Sequence, residues 1–264
     1  MARPIITLTT DYGIGDHLVG AMKGVILTIN PDVNIIDNTH GVIAHDILDG
    51  ALSIGNAFSY YPPKTVHVVV VDPGVGTSRR PILVAADQHY FVAPDNGVLS
   101  AVYDRSEALH VWHVTSEHYF RQPISNTFHG RDIFAPVASW LTKSWQTSAF
   151  GEPITDFVRF ALPKPKANGN TIKGVVLQVD RFGNLVTNIT PENAPAIFAQ
   201  PAKFKILAGT GAVTKIVPTF AQGPSGEPVG IVGSSGYLEI SVNRGSAART
   251  LGAVRGGEVT VELE

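Results

Sequence analysis

Short aliphatic runs alternate with stretches whose apolar residues recur at helical spacing through the first part of the chain. Residues 4–9 (PIITLT) read as a first strand. Residues 16–29 (DHLVGAMKGVILTI) keep apolar side chains on one face behind an acidic start, which predicts a helix. A short strand is expected over 34–37. A helix is expected over 45–60, ending before Pro62 and Pro63. Residues 66–71 (VHVVVV) form the longest apolar run, and their β-branching predicts a buried strand. Residues 82–86 and 90–93 flank Asp87, Gln88 and His89 as a hairpin. A helical turn over 98–103 and a helix over 132–142 follow. This alternation implies an α/β layer with a mainly parallel sheet.

The pattern changes near residue 161. Residues 161–173 (ALPKPKANGNTIK) combine prolines, lysines and an Asn-Gly-Asn, the composition of an exposed linker. Short β-type runs then follow at 173–180, 185–190, 202–206, 213–220, 228–233, 237–242 and 258–262, separated by glycine-rich turns. Only 192–198 reads as a helix. The expected organisation is an α/β N-terminal domain over 1–162, a linker over 163–172, and a smaller all-β, barrel-like C-terminal domain over 173–264.

Composition narrows the chemistry. The 264 residues include no cysteine, which excludes disulfides, thiolate metal sites and a cysteine nucleophile. Hydrophobic residues at 44% against 16% charged argue for a packed core. A net charge of −2 gives no basic field for nucleic acid. No run approaches the length of a membrane span. The N-terminal apolar run is broken by Asp11, so it lacks the core of a signal peptide. The expected setting is the cytoplasm, without nucleic-acid or membrane partners.

Several polar clusters directly follow predicted strands, where α/β sheets bind ligands. Residues 9–16 (TTDYGIGD) lack both the GxGxxG and the GKT phosphate patterns. Their carboxylates, Asp11 and Asp16, suit ribose hydroxyls, an ammonium group or a metal; Asp16 equally suits a helix N-cap. In residues 72–80 (DPGVGTSRR), Asp72 beside Arg79 is either a structural ion pair or a tuned functional carboxylate. In residues 126–132 (NTFHGRD), His129 sits among polar and glycine neighbours, a setting for handling a proton. His110, His113 and His118 match no zinc spacing. In the β-rich part, residues 180–189 and 233–243 carry Asp180, Asn184, Ser234, Ser235 and Glu239, as ligand contacts or as plain turns.

Taken in order, TTDYGxxD, VVxVDPGVGTxRR, NTFHGRD, DxFGNLVTNI and SSGYLEIxVN resemble the S-adenosyl-L-methionine hydrolases (adenosine-forming). These are also called SAM hydroxide adenosyltransferases and are related to the fluorinase and chlorinase enzymes. The resemblance runs from Thr9 to Asn243. It implies an α/β domain followed by a β-barrel-like domain. It also implies a homotrimer whose active sites lie between the N-terminal domain of one subunit and the C-terminal domain of the next.

Carried over by position, the resemblance assigns a water-activating triad to Asp72, Arg79 and His129, and a ribose carboxylate to Asp11. Asp16 and Asp180 fall where the methionine ammonium is held, and Asn184 on an adenine-side contact. Ser234, Ser235, Glu239 and Val242 fall on nucleoside contacts, Val242 through its backbone. Phe220 matches an aromatic that packs on adenine. Val186 departs from the halogenases, which place an aromatic there.

The implied chemistry needs neither a metal nor a cofactor, because the sulfonium substrate already carries a neutral leaving group. It needs a water in line with C5′, and the products are adenosine and L-methionine. The fluorinase pattern has tyrosine at the aspartate and histidine positions, and a carboxylate such as Asp72 repels a halide. A SAM-dependent halogenase, or a non-catalytic adenosine- or SAM-binding module, stands as the alternative.

Overall fold

A computed structural model of the chain describes residues 2–199 and 203–263. The chain divides into two compact units, Met1–Leu162 and Pro163–Glu264.

In chain order, the first unit contains β1 (Ile5–Thr10), α1 (Leu18–Ile29), β2 (Asn34–Thr39), α2 (Ile47–Gly55), β3 (Val66–Val70), β4 (Pro81–Ala86) and β5 (His89–Pro94). It continues with α3 (Ser100–Tyr103), β6 (Leu109–Val114), α4 (Ala135–Ser144) and β7 (Gly151–Ile154). The strands form one sheet in the order β2-β1-β3-β5-β4-β6-β7. β3 lies inside the sheet, between β1 and β5, and is buried along its whole length. Its alternation feeds two layers. Val66, Val68 and Val70 pack with residues of α1 and α4, such as Met22, Ile26 and Leu141. Val69 and Val71 pack on the other face with Ile54, Phe58 and Phe91. A strand covered on both faces reads as a continuous apolar run, which here is interrupted by His67.

The expectation of a mainly parallel sheet is corrected. β2, β1, β3 and β5 pair in parallel, but β4, β6 and β7 pair antiparallel, so the sheet is mixed. The two-residue connection from Ala86 to His89 is too short for a crossover and forces β4 antiparallel to β5. β6 and β7, which the pattern of residues 109–154 did not announce, extend that edge. The helices are shorter than expected. α1 starts at Leu18, behind His17, with no acidic residue in its first turn. α2 is capped by Asp46, whose side chain accepts from Asp49 N. It stops at Gly55, which packs so closely on Ala101 that a Cβ there would lie 2.6 Å away.

The second unit contains β8 (Lys166–Asn168), β9 (Thr171–Val179), β10 (Leu185–Thr187), α5 (Pro195–Phe198), β11 (Phe204–Ala208) and β12 (Gly211–Val213). After these come β13 (Pro228–Val232), β14 (Leu238–Val242), α6 (Ala247–Leu251) and β15 (Glu258–Leu263). Every pairing between these strands is antiparallel, in the order β12-β11-β15-β9-β10-β14-β13, with β8 on β9. A bridge between Ile216 and Gly230 joins the two ends, so the sheet nearly closes into a barrel around Val176, Leu185, Ile206, Ile240 and Val261. Residues 166–168, expected as linker, form a hairpin with β9. The expected strand over 213–220 shrinks to β12 and the bridge, because Pro218 cannot donate to a ladder. Ala202, in the expected strand over 202–206, lies outside the described residues. No helix of the described residues is long and apolar enough to cross a membrane.

Candidate active site

In the α/β unit β1 and β3 run in parallel, so Thr10 and Val70 end side by side. The loops that leave these strands carry Asp11–Asp16 and Asp72–Arg79. A third segment, residues 126–134, leads through a π-helical turn (Gly130–Phe134) into α4. Two glycines let these segments meet. Gly76 adopts φ 76°, and a Cβ on it would collide with the carbonyl of Asn126. A Cβ on Gly130 would stand 2.6 Å from the Tyr12 hydroxyl and 3.3 Å from Met22 Sδ.

Arg79 joins the other two members of the expected triad. Its Nε donates to both oxygens of Asp72 at 3.0 Å, and its Nη2 donates to Asp72 Oδ2 at 2.5 Å. The same Nη2 donates to His129 Nδ1 at 2.6 Å. The Arg79 and Asp72 side chains are 9% and 5% exposed, and the guanidinium lies 5.2 Å from the Phe134 ring centroid. A guanidinium only donates, so His129 Nδ1 accepts. Neutral His129 therefore carries its proton on Nε2. Burial, then the charge of Arg79, holds the His129 imidazole below its usual pKa, against the opposing charges of Asp72 and Asp132.

Asp132 is a residue that sequence reasoning passed over. It is fully buried and binds the segment together. It accepts from Arg131 at 2.7 and 2.8 Å, from Ser125 N at 2.9 Å and from Arg121 at 3.3 Å. Burial alone would raise its pKa, but the bonds from Arg131 and Ser125 outweigh burial and hold it low. Its charge thus staples residues 121–132 in the form that presents His129.

Tyr12 was also passed over, because a tyrosine beside Asp11 carries no pattern of its own. Its ring meets Phe128 edge-on at 5.9 Å. Burial, then the charges of Asp11 and Asp72, keeps its hydroxyl protonated, while Arg79 acts in the opposite sense. Asp11 accepts from His45 N through Oδ2 at 2.9 Å, holding a residue with φ 66°. Asp16 is exposed in the loop before α1 and does not cap it.

In the β unit, Asp180, Asn184, Phe220, Ser234, Glu239 and Val242 line one cleft of about 930 Å³. Ser235, in the same turn as Ser234, does not line it. Asp180 also serves its own turn. Its Oδ1 accepts from Phe182 N and Asn184 N, and its Oδ2 from Asn184 Nδ2. That leaves free acceptor capacity on Oδ2 for a ligand. Glu239 packs against Gly233, and burial, then the Asp180 charge, raises its pKa. Phe182 and Phe220 are 76% and 48% exposed at the cleft, and Arg244 and Arg249 add positive charge to its lining. These arginines lie outside the polar motifs, so the sequence offered no signal for them. A cleft with aromatic faces and charges of both signs is chemically suited to a nucleoside carrying an amino-acid-like end.

The two units match, in order, the two halves of one known family. Residues 6–151 match the SAM hydroxide adenosyltransferase N-terminal domain, and residues 174–260 match its C-terminal domain. The chain belongs to the SAM hydroxide adenosyltransferase family. It is 37% identical to an (R)-S-adenosyl-L-methionine hydrolase of Salinispora tropica, across 98% of this chain and 97% of that one. A fluorinase of Actinoplanes is 29% identical, across 98% of this chain and 97% of its own. The crystal structure of a conserved protein from Thermotoga maritima superposes with a TM-score of 0.91 at 34% identity, covering 97% of this chain and 99% of that one.

Proposed function

We propose that the protein hydrolyses S-adenosyl-L-methionine at C5′, releasing adenosine and L-methionine. The observation that carries this reading is the bonding of Arg79 to both Asp72 and His129. The oxygen of a water attacks C5′ in line with the C5′–S bond. That bond breaks with its electron pair going to sulfur, which leaves as a neutral thioether. The water must lose a proton. His129 holds its own proton on Nε2, so it donates a hydrogen bond to the water oxygen. Asp72 then takes the water proton and passes it to solvent. Arg79 holds both groups in register. The carboxylate beside the nucleophile disfavours a halide in its place.

Asp11 binds the ribose hydroxyls in this reading, and Asp16 and Asp180 hold the methionine ammonium. Asn184, Ser234, Ser235, Glu239 and Val242 contact the nucleoside, with Phe220 against adenine. The shared lining of Asp180, Asn184, Phe220, Ser234, Glu239 and Val242 supports this division. We read residues 1–162 and 173–264 as the two domains, and the working form as a cytoplasmic homotrimer with sites between neighbouring copies. The exposed Phe182 and Phe220 support such an assembly. No metal or other cofactor takes part.

The test is product analysis with S-adenosyl-L-methionine, with and without chloride. Adenosine in both incubations is expected. A 5′-chloro-5′-deoxyadenosine product would assign a halogenase. Saturable adenosine binding without turnover would assign a binding module. Light scattering tests the trimer.

A further inference from the structure

The hydrogen-bond inventory of the attacking water leaves one hydrogen to be placed. A water has two hydrogens and two lone pairs. During attack one lone pair goes to C5′, and the other accepts from Nε2–H of His129. One hydrogen goes to Asp72. The second hydrogen has no acceptor in the triad.

Tyr12 brings a hydroxyl up to the segment that presents His129. Its hydroxyl presses on Gly130, the residue after His129, so closely that a Cβ there would lie 2.6 Å from it. The Tyr12 backbone N–H bonds to Thr10 Oγ1, but the phenol makes no hydrogen bond to any described residue. A tyrosine hydroxyl without a protein partner is open to a water. The Phe128 ring, meeting Tyr12 edge-on at 5.9 Å, and Met22 Sδ, 3.3 Å from the same Cβ position, wall off the apolar side.

We propose that Tyr12 is a fourth member of the site, whose hydroxyl accepts the non-transferred hydrogen of the nucleophilic water. This role rests on the hydrolase reading. It fixes the water by its fourth hydrogen-bonding position and so aims its lone pair at C5′. Because burial and the neighbouring carboxylates keep the phenol protonated, Tyr12 orients the water without competing with Asp72 for its proton. The bonds made and broken at C5′ stay as described above.

Tyr12→Phe removes only the oxygen. The expected result is a fall in kcat of about 10-fold, on the scale of one lost orienting hydrogen bond, with KM for S-adenosyl-L-methionine unchanged. Gly130→Ala displaces the same oxygen from the other side and should lower kcat to a similar extent. The double variant should be no slower than the slower single one, because both changes remove one interaction. Circular dichroism and thermal melting of each variant check the fold. A Tyr12→Phe enzyme within about two-fold of native kcat, or a double variant slowed by the product of the two effects, overturns the assignment. A native enzyme that releases no adenosine overturns the hydrolase reading itself, which separates the two failures.

Discussion

Replacing Arg79 in two ways separates its shape from its charge. Arg79→Lys keeps the charge but loses the planar edge through which Nε and Nη2 reach Asp72 and His129 together. One partner loses its donor, and a hydrogen bond to a charged group is worth about 1.5–3 kcal/mol. The expected fall in kcat/KM is therefore about 10- to 150-fold, at about 1.4 kcal/mol per factor of ten. Arg79→Gln removes the charge as well. Native His129 is held below its usual pKa by burial and then by Arg79, against Asp72 and Asp132. Without the guanidinium the two carboxylates are opposed by burial alone, so the His129 pKa must rise from its native value. Arg79→Lys should leave it near the native value. Steady-state adenosine release measures the first effect. NMR titration of the His129 imidazole measures the second and does not depend on turnover. The same spectra report whether Nε2 carries the proton in the native enzyme. An Arg79→Lys enzyme with native kcat/KM, or an Arg79→Gln protein whose His129 pKa falls, would refute the argument.

Three further outcomes are expected. Asp72→Ala and His129→Ala should each lower turnover by at least about 10² while adenosine still binds; near-native rates in both would remove their roles. Burial, then His89, pushes the pKa of His67 down to about 3, and the ring bonds Thr7 at 2.7 Å and stacks on Phe91 at 4.8 Å. The unfolded chain binds that proton below about pH 6.5 and the folded one does not, so the stability held above that pH is lost as pH falls toward 3. One such group contributes a slope of up to about 1.4 kcal/mol per pH unit, which urea unfolding of His67→Phe should lack; equal slopes in the two proteins would contradict this. Phe220→Ala should weaken adenosine binding by about 3- to 10-fold, the scale of a lost aromatic contact, measured by calorimetry. Unchanged affinity would remove Phe220 from the adenine side.

Most of the polar motifs were legible because they sit where an apolar run stops. Asp72 ends the VHVVVV strand, and Asp11 ends the first one. His129 stands out as a titratable residue beside glycine. The β-rich half was legible through its glycine turns. Its cleft gathers Asp180, Asn184, Phe220, Ser234, Glu239 and Val242 from strands and turns far apart in the chain. Asp132 and Tyr12 were not legible. One acts through buried bonds to Ser125, Arg121 and Arg131, and the other through contact with Gly130. Neither kind of contact has a spacing rule.

The sequence by itself determined which side chains are available, which strand is buried on both faces, and which family the ordered motifs resemble. Those are local properties of period and residue type. The tertiary structure alone decided that the sheet continues beyond the β4–β5 hairpin, with β6 pairing antiparallel to β4 and β7 to β6, because a hairpin pattern says nothing of what covers its free edge. It also decided that residues 166–168 pair with β9 rather than hang free as linker. Above all it decided the proton on His129. Nothing in NTFHGRD says which ring nitrogen is free. Once the glycines let the three segments close on one another, Arg79 meets Nδ1 at 2.6 Å, and a donor-only partner leaves the proton on Nε2.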